Sequence, residues 1–252
     1  MCKKILSAAF LVFFLLGMTG LSAEDFEDLN VLTEYYPPFN YEEENKTKGI
    51  SVDLLLEVTE EMGSAFKKSD IQLKQWSKVY QQAKNQPGNM LFSTTRTEKR
   101  EDLFKWAGPI ASNQFCLIVK KANGITVTDI KDIMKKNLKV TVVHDDVAQQ
   151  MLQSAGVPAE NMIDRPFPGL CIMDLHRNNA DAMAYGKHAV MWMLGLYGFN
   201  SYDYTSAYTI QEGDLYYAFN KNVEDDVVNR FQKALDRVKA SGEFDAILDR
   251  YR

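Results

Sequence analysis

The sequence contains few of the residues that build common catalytic and metal centres. Its 252 residues include only three histidines and three cysteines, and the histidines are scattered without partners at the spacing of a metal site. It also lacks a glycine-rich phosphate loop, the nucleophile motif Gly-x-Ser-x-Gly and the zinc motif His-Glu-x-x-His. These absences argue against nucleotide-dependent, serine-hydrolase and zinc-peptidase chemistry. We therefore expect a protein without cofactor or bound metal, and not an enzyme.

Long apolar runs are scarce as well. The one pronounced run, residues 5–17, follows two lysines and precedes a small-residue cleavage site that ends at Ala23. This order is typical of a secretory signal, so we predict a cleaved signal peptide over residues 1–23 and a mature chain from Glu24. No later stretch reaches the roughly 20 apolar residues that span a bilayer. The mature protein is expected to be exported and soluble.

The chain has fewer basic than acidic residues, and it has few cysteines. The formal net charge of the full chain is −5, and loss of the two signal-peptide lysines takes it to −7. An acidic surface argues against nucleic acid and anionic membranes as partners. Only Cys116 and Cys171 remain in the mature chain, both in apolar segments. A disulfide bond in an oxidising compartment and a pair of buried free thiols are both compatible with this pattern.

Short apolar strands alternate with helical patterns through most of the mature chain. The pattern predicts one βαβαβ unit that ends near residue 93 and a second unit that begins near residue 115. The units include a predicted polar loop over residues 42–48 and predicted helices over residues 76–85 and 147–154. A strand over residues 214–219 and a long amphipathic helix over residues 223–240 follow. Neither a repeat nor a linker is evident. The order predicts α/β architecture with largely parallel sheets, arranged as two lobes joined by crossing strands.

The most informative segment is residues 90–100, where an apolar strand leads into three hydroxyl residues and two arginines. The hydroxyl residues, 93–95, offer donors, and Arg96 and Arg100 offer planar guanidinium groups that pair with a carboxylate through two parallel hydrogen bonds. Ligands of open α/β sheets bind at the carboxyl ends of strands, and this segment follows such an end. The composition predicts an anion site. Taken alone, it is equally compatible with a strand end that carries solvated charges.

Several segments together resemble the bacterial extracellular solute-binding proteins of family 3, the periplasmic polar amino-acid-binding proteins of ABC importers. The resemblance extends over nearly all of the mature sequence, and the order and spacing of its segments are more specific than any one of them. The segments are residues 36–39, 49–54, 93–100, 106–109, 139–143, 180–184, 240–247 and 250–251.

The resemblance implies a two-lobed α/β fold, the type II periplasmic-binding-protein fold, with two crossover strands and a ligand cleft between the lobes. Lobe 1 is expected over residues 24–112 and 208–252, and lobe 2 over residues 113–207. The resemblance also implies a monomeric periplasmic protein. Its expected partners are a small carboxylate-bearing solute, such as an amino acid, and a membrane ABC permease.

In this family the arginine of a Thr-x-x-Arg motif binds the ligand carboxylate. The resemblance therefore implies this role for Arg100, in the motif that begins at Thr97. Ser93 and Thr95 are expected to add hydroxyl and backbone donors beside it. Arg96 is an additional charge, for which ligand contact and a solvated or lobe-bridging position are both open.

The family also places aromatic walls around its ligand. Trp76 and Tyr36 fall at these positions, and aromatic faces suit a cationic or apolar ligand group. Core packing is the alternative for both residues, and for Trp76, at a strand end just before a helix, we favour the site. Tyr185 is a further candidate to line the site.

The second lobe departs from the family pattern. The acid that holds the α-amino group in amino-acid binders would align with Gly186, so this acid is missing. Asp146 is placed to cap the following helix, and its carboxylate is also a candidate to receive a ligand ammonium, as are Glu34 and Glu212. Without one of them, an ordinary α-amino acid would lose its charged partner.

Two other functions are compatible with the same scaffold. Some related folds act as dehydratases on prephenate-like acids, and such an enzyme would need a general acid or base, for which Glu34, Asp146 and His144 are the candidates. The second alternative is a ligand-sensing partner of a membrane receptor. The sequence does not separate sensing from transport.

Overall fold

The computed structural model describes residues 25–251, so the predicted signal peptide lies outside the described residues. Strands and helices alternate along this part of the chain. The strands are β1 (Asn30–Thr33), β2 (Tyr41–Glu43), β3 (Lys46–Lys48), β4 (Gln72–Leu73), β5 (Asn89–Thr95), β6 (Phe104–Ala107), β7 (Ser112–Lys120), β8 (Val140–Val143), β9 (Met162–Arg165), β10 (Ala182–Gly186) and β11 (Tyr204–Asn220). The helices are α1 (Ile50–Glu61), α2 (Trp76–Asn85), α3 (Glu98–Glu101), α4 (Asp132–Lys135), α5 (Val147–Ser154), α6 (Pro168–His176), α7 (Lys187–Leu196), α8 (Asp225–Ser241) and α9 (Glu243–Asp249).

Nine of the strands form one continuous sheet. Its order is β4-β1-β5-β11-β7-β10-β8-β9, and β6 also pairs with β11. The pairs β1/β4, β1/β5, β8/β10 and β8/β9 are parallel, whereas β7/β10 and the three pairs of β11 are antiparallel. The prediction of largely parallel sheets is therefore wrong. The reason is that β7 and β11 lie side by side at the middle of the sheet and run in opposite directions.

The long strand β11 joins two halves of the sheet. Its residues 204–214 pair with β7, and its residues 215–220 pair with β5 and β6. We call β1, β4, β5, β6 and the end of β11 the first half, and β7 to β10 with the start of β11 the second half. Helix α2 packs on the first half and α5 on the second. The loop after β1 and the start of α2 face the start of α5 across the joint.

The core is continuous between the halves in this conformation. One cluster of buried residues includes Val31 and Phe92 from the first half together with Ile172 and Met183 from the second. The removal of these apolar side chains from water provides the main driving force for this arrangement. Cys116 and Cys171 are both buried and free, which resolves the disulfide alternative in favour of separate thiols. Between residues 25 and 251, no helix combines the length and hydropathy needed to cross a membrane.

Candidate functional site

A small cavity lies between the two halves, at the carboxyl ends of β1 and β5. Its volume is about 10 Å³, which is close to the minimum that holds one water molecule. Seven of the ten lining residues are among those that the sequence predicts. The lining residues are Glu34, Tyr36, Trp76, Ser93, Thr95, Arg100, Phe115, Asp146, Val147 and Leu215.

Arg100 is the buried cation of this cavity. It lies in α3, only 1% exposed, with its guanidinium carbon 4.8 Å from the ring centroid of Tyr80 and 5.3 Å from that of Trp76. Its Nε donates to Gln150 Oε1 at 3.3 Å and its Nη1 to the Thr95 carbonyl at 3.4 Å, both long hydrogen bonds. Its Nη2 has no hydrogen-bond partner within residues 25–251.

The charge of Arg100 persists despite this burial. Burial lowers the pKa of Arg100, and the neighbouring Tyr80, Asp146 and Glu34 oppose that effect. An arginine guanidinium nevertheless stays protonated in proteins. A buried cation with an unsatisfied donor is costly, because the lost contacts with water are not replaced. The arrangement leaves Arg100 ready to pair with an anion.

Two carboxyl groups face Arg100 from opposite halves. Glu34 follows β1, and burial, followed by the charge of Asp146, raises its pKa well above the ordinary value of 4.5. Asp146 begins α5, where its Oδ1 accepts from the Ala148 N–H at 2.9 Å, as an N-cap residue does. Burial raises the pKa of Asp146, although the Ala148 N–H and Arg100 oppose this. Both carboxyl groups are therefore part of the charge balance around Arg100.

Tyr36 fills the space beside Gly186, the position at which the sequence resemblance places the missing acid. A Cβ added to Gly186 would overlap the Tyr36 hydroxyl oxygen and would lie 2.9 Å from Tyr36 Cζ and 3.1 Å from Asn113 Nδ2. The Asn113 amide donates to the Tyr36 hydroxyl at 2.7 Å, and both side chains are buried. In place of a charged group, Tyr36 of the first half and Asn113 of the second thus form a neutral polar pair beside Gly186.

Hydrogen bonds close the two halves over the cavity. The indole Nε1 of Trp76, in the first half, donates to the Asp145 carbonyl at 2.9 Å, in the second half. Gln150 Nε2 donates to the same carbonyl at 2.9 Å, and Gln150 Oε1 accepts from Arg100. Gln150 therefore connects the cation of one half with the wall of the other.

The remaining predicted donors lie at the end of β5. Ser93 has a left-handed backbone with φ of 57°, and its hydroxyl donates to Ser51 Oγ at 2.8 Å. Such a conformation is uncommon for a residue other than glycine and marks a position that the surrounding structure enforces. Thr95 lines the cavity and accepts from Arg100 through its carbonyl.

Trp76 both lines the cavity and packs in the core, so a place in the site and core packing are not exclusive alternatives for it. It is 4% exposed, stacks on Tyr80 and belongs to a buried cluster with Leu32 and Val79. Tyr185 does not line the cavity but contacts two residues that do. Its hydroxyl donates to Glu34 Oε2 at 3.5 Å, and its ring packs edge-on against Tyr36.

Some candidate residues lie away from the cavity. Arg96 forms an ion pair with Glu101 and lies over the rings of two aromatic residues on the outside of the first half. Thr97 begins α3 and lines a different groove. Glu212 accepts from Gln114 in the exposed part of β11, and His144 is exposed and contacts Asp164 at 2.6 Å. The candidates for the ammonium partner that line the cavity are therefore Glu34 and Asp146.

Several residues of the site were not predicted from the sequence. Phe115, Val147 and Leu215 line the cavity, but in the sequence they have the apolar pattern of any core residue. Gln150 and Asn113 carry polar contacts of the site. No local motif marks them, because a single amide on a helix or strand is usually solvated.

Replacing Glu34 with glutamine tests its raised pKa. Below pH 4.5 both the folded and the unfolded chain hold the Glu34 proton, so the substitution should change stability little at pH 4. As pH rises, the unfolded chain loses this proton first, which costs the folded state about 1.4 kcal/mol for each unit by which the pKa is raised. Glutamine removes that cost, so Glu34→Gln should raise the melting temperature at pH 7.5.

Thermal unfolding at the two pH values gives the measurement. The exposed Glu42→Gln is the matched control and should change the melting temperature at neither pH. An equal shift for Glu34→Gln at pH 4 and pH 7.5 would contradict the assignment.

Comparisons with known proteins identify the fold. Among solved structures, a histidine kinase sensor domain with similarity to periplasmic binding proteins has a TM-score of 0.78 and 17% identity, over 89% of this chain and 97% of that chain. The arginine-, lysine-, histidine-binding protein ArtJ from Geobacillus stearothermophilus has a TM-score of 0.72 and 20% identity, over 88% and 94%. An ABC uptake transporter substrate-binding protein from Streptococcus pneumoniae, with bound histidine, has a TM-score of 0.76 and 16% identity, over 89% and 92%.

These structures confirm the predicted α/β fold of periplasmic binding proteins. No curated protein sequence matches the chain. The family model for bacterial extracellular solute-binding proteins, family 3, however, matches residues 29–252, which is most of its length. The proteins of this family are binding proteins. The chain therefore belongs to the bacterial extracellular solute-binding proteins of family 3, as its sequence motifs predict.

Proposed function

We propose that this protein captures a small carboxylate-bearing solute in the periplasm and delivers it to a membrane ABC permease. The observation that carries the proposal is Arg100, a buried guanidinium whose Nη2 lacks a partner within the described part of the chain. A ligand carboxylate would supply two acceptors to this planar group. The protein would be a monomer, exported through the signal peptide at residues 1–23.

Closure of the two halves is the proposed mechanism of capture. The lobes would comprise residues 24–112 with 208–252, and residues 113–207, and would rotate about β7 and β11. The bonds from Trp76 to Asp145 and from Arg100 to Gln150 form only when the halves approach. A solute that contacts both halves shifts the population towards the closed form. Because the cavity is about 10 Å³, a solute would enter only if the two halves separated.

Asp146 is the proposed partner for a ligand ammonium. Its carboxyl is buried in the cavity opposite Arg100, whereas the position of the usual acid is filled by Tyr36. Asp146→Asn should not destabilise the protein, because asparagine caps a helix as well as aspartate and because burial, which raises the pKa of Asp146, makes its charged form costly to the folded state at neutral pH. Affinity for an α-amino acid should fall by about 2 kcal/mol or more, since a buried ion pair loses one partner.

A thermal-shift screen of wild type, Asp146→Asn and Asp164→Asn against the common amino acids tests this role. Asp164 is exposed and lies outside the cavity, so Asp164→Asn should behave as wild type. The matching carboxylic acids without an ammonium group complete the panel. If only these acids stabilise the wild type, Asp146 is a helix cap alone and the solute is not an α-amino acid.

Ligand sensing is the second candidate function, because the sensor domain of a histidine kinase shares the fold over 89% of this chain. A sensing protein would use the same closure to change its contacts with a membrane receptor. Neighbouring genes for a permease and an ATPase would support transport. A neighbouring receptor gene without them would support sensing.

A further inference from the structure

Large apolar side chains are exposed together at one place beside the cleft. Phe167 is 51% exposed, Leu170 45% and Tyr197 47%, and all three line one cavity of about 460 Å³. Tyr35 and Pro168 complete much of its wall. Scattered exposed apolar residues are ordinary, but a concave group of them indicates a binding surface.

This cavity shares wall residues with a neighbouring cavity that in turn shares wall residues with the cavity of Arg100. A third cavity, of about 260 Å³, shares Tyr35, Phe167 and Pro168 with the apolar one. It also shares Glu34 and Trp76 with the cavity of Arg100. The three spaces therefore adjoin one another along a path from the buried guanidinium to the exposed aromatic residues. We call the walls of this path, Tyr35, Phe167, Pro168, Leu170 and Tyr197, the aromatic arm.

The arm has a preformed wall and belongs to both halves. Tyr35 follows β1 in the first half, and Phe167 is the N-cap residue of α6 in the second. The hydroxyl of Tyr197 packs directly on Gly169, where an added Cβ would overlap it. Tyr197 is thereby fixed against the start of α6. A molecule in the arm would contact both halves, as a molecule at Arg100 does.

The size of the cavities indicates what occupies the arm. The space at Arg100 is about 10 Å³, so it has no room for the body of a solute. The adjoining space lies along the arm, whose walls are mainly aromatic and aliphatic. An apolar group gains most from such walls, whereas a strongly polar group would lose its contacts with water there.

We infer that the aromatic arm binds the apolar tail of the solute whose carboxylate pairs with Arg100, so that the ligand class is a carboxylate with an aromatic or large aliphatic tail. This inference rests on the proposed role of Arg100. Head and tail would each bridge the two halves. The tail thereby adds to the stability of the closed form as well as to affinity.

Calorimetric titration of the mature protein with two matched pairs of probes tests the inference. The pairs are L-alanine with L-phenylalanine, and propionate with 3-phenylpropionate, each of which differs by one phenyl group. We expect the phenyl member of at least one pair to bind about tenfold tighter or more than its partner. Phe167→Ala should reduce that advantage by about tenfold, without loss of fold, because Phe167 is half exposed.

Tyr202→Ala is the matched control, since Tyr202 is an aromatic residue that is 82% exposed and lines neither cavity of the arm. Its affinities for the four probes should equal those of the wild type. Equal affinity within both pairs, or an unchanged phenyl advantage in Phe167→Ala, overturns the arm and leaves these residues as a surface for a macromolecular partner. Binding that survives in Arg100→Ala instead contradicts the proposed carboxylate site. Failure of all four probes to bind wild type contradicts both.

Discussion

Arg100→Ala is expected to abolish binding of any carboxylate solute. Removing one partner of a desolvated charge pair costs about 2–5 kcal/mol, a loss of about 30-fold to several thousandfold in affinity. Arg100→Lys should also bind poorly, because an ammonium group does not reproduce the planar pair of donors. Calorimetry with the solute found by the amino-acid and acid screen gives the measurement.

Arg96→Ala is the matched control for this experiment. Arg96 lies four positions earlier in the same segment, but it pairs with Glu101 outside the cavity. Its loss should leave affinity unchanged, because Arg96 is exposed and does not line the cavity. A melting curve of ligand-free Arg100→Ala verifies that the variant is folded. Unchanged affinity in a folded Arg100→Ala would remove Arg100 from the site.

Restoring the usual acid of the family, through Gly186→Asp, is expected to destabilise the protein by about 3 kcal/mol or more. The backbone at Gly186, with φ of −63° and ψ of 122°, permits a side chain, so the restriction comes from neighbouring side chains, chiefly Tyr36 and to a smaller extent Asn113. Overpacking of a buried site costs about 1–3 kcal/mol, and an unpaired buried carboxylate adds to this. Gly186→Ala, which adds only the Cβ, should cost about 1–3 kcal/mol.

A double mutant separates the steric cost from other effects of the substitution. Tyr36→Phe removes the hydroxyl that overlaps the added Cβ, so Gly186→Ala should cost less in that background, although Tyr36 Cζ would remain 2.9 Å away. Gly195→Ala is the matched control, because no atom lies within 4 Å of its added Cβ. Alanine at this helical position should be neutral or stabilise by up to about 1 kcal/mol. A Gly186→Ala variant as stable as Gly195→Ala would show that Tyr36 does not fill this position.

The sequence predicted elements well where an apolar pattern and a clear start coincide. Helices α2 and α5 begin and end at the predicted residues, Trp76–Asn85 and Val147–Ser154. Strand β11 was predicted over residues 214–219, but it begins at Tyr204. Its first part was missed because it is polar, half exposed and without an apolar alternation. The hairpin of β2 and β3 was predicted as a polar loop. Its strands are mostly exposed, so their sequence does not alternate between apolar and polar residues.

The first half of the site was easier to predict than the second. Arg100 follows directly from a strand end and from a motif within a few residues of sequence. The contacts of Gln150 and Asn113, by contrast, depend on partners 50 and 77 positions away. The closure of Tyr36 over Gly186 depends on two segments that only the fold brings together. A sequence shows that a motif lacks an expected side chain, but it does not show which other residue fills the space.

The most direct test of the central claim is native mass spectrometry of the protein purified from the periplasm, with and without Arg100. We expect wild type to carry a co-purified small solute, and fragmentation of the released solute to show a carboxylate. Folded Arg100→Ala, prepared in parallel, should carry none. A co-purified solute without a carboxylate, or the same solute retained at equal occupancy by Arg100→Ala, would contradict the claim that Arg100 holds a carboxylate in this cleft.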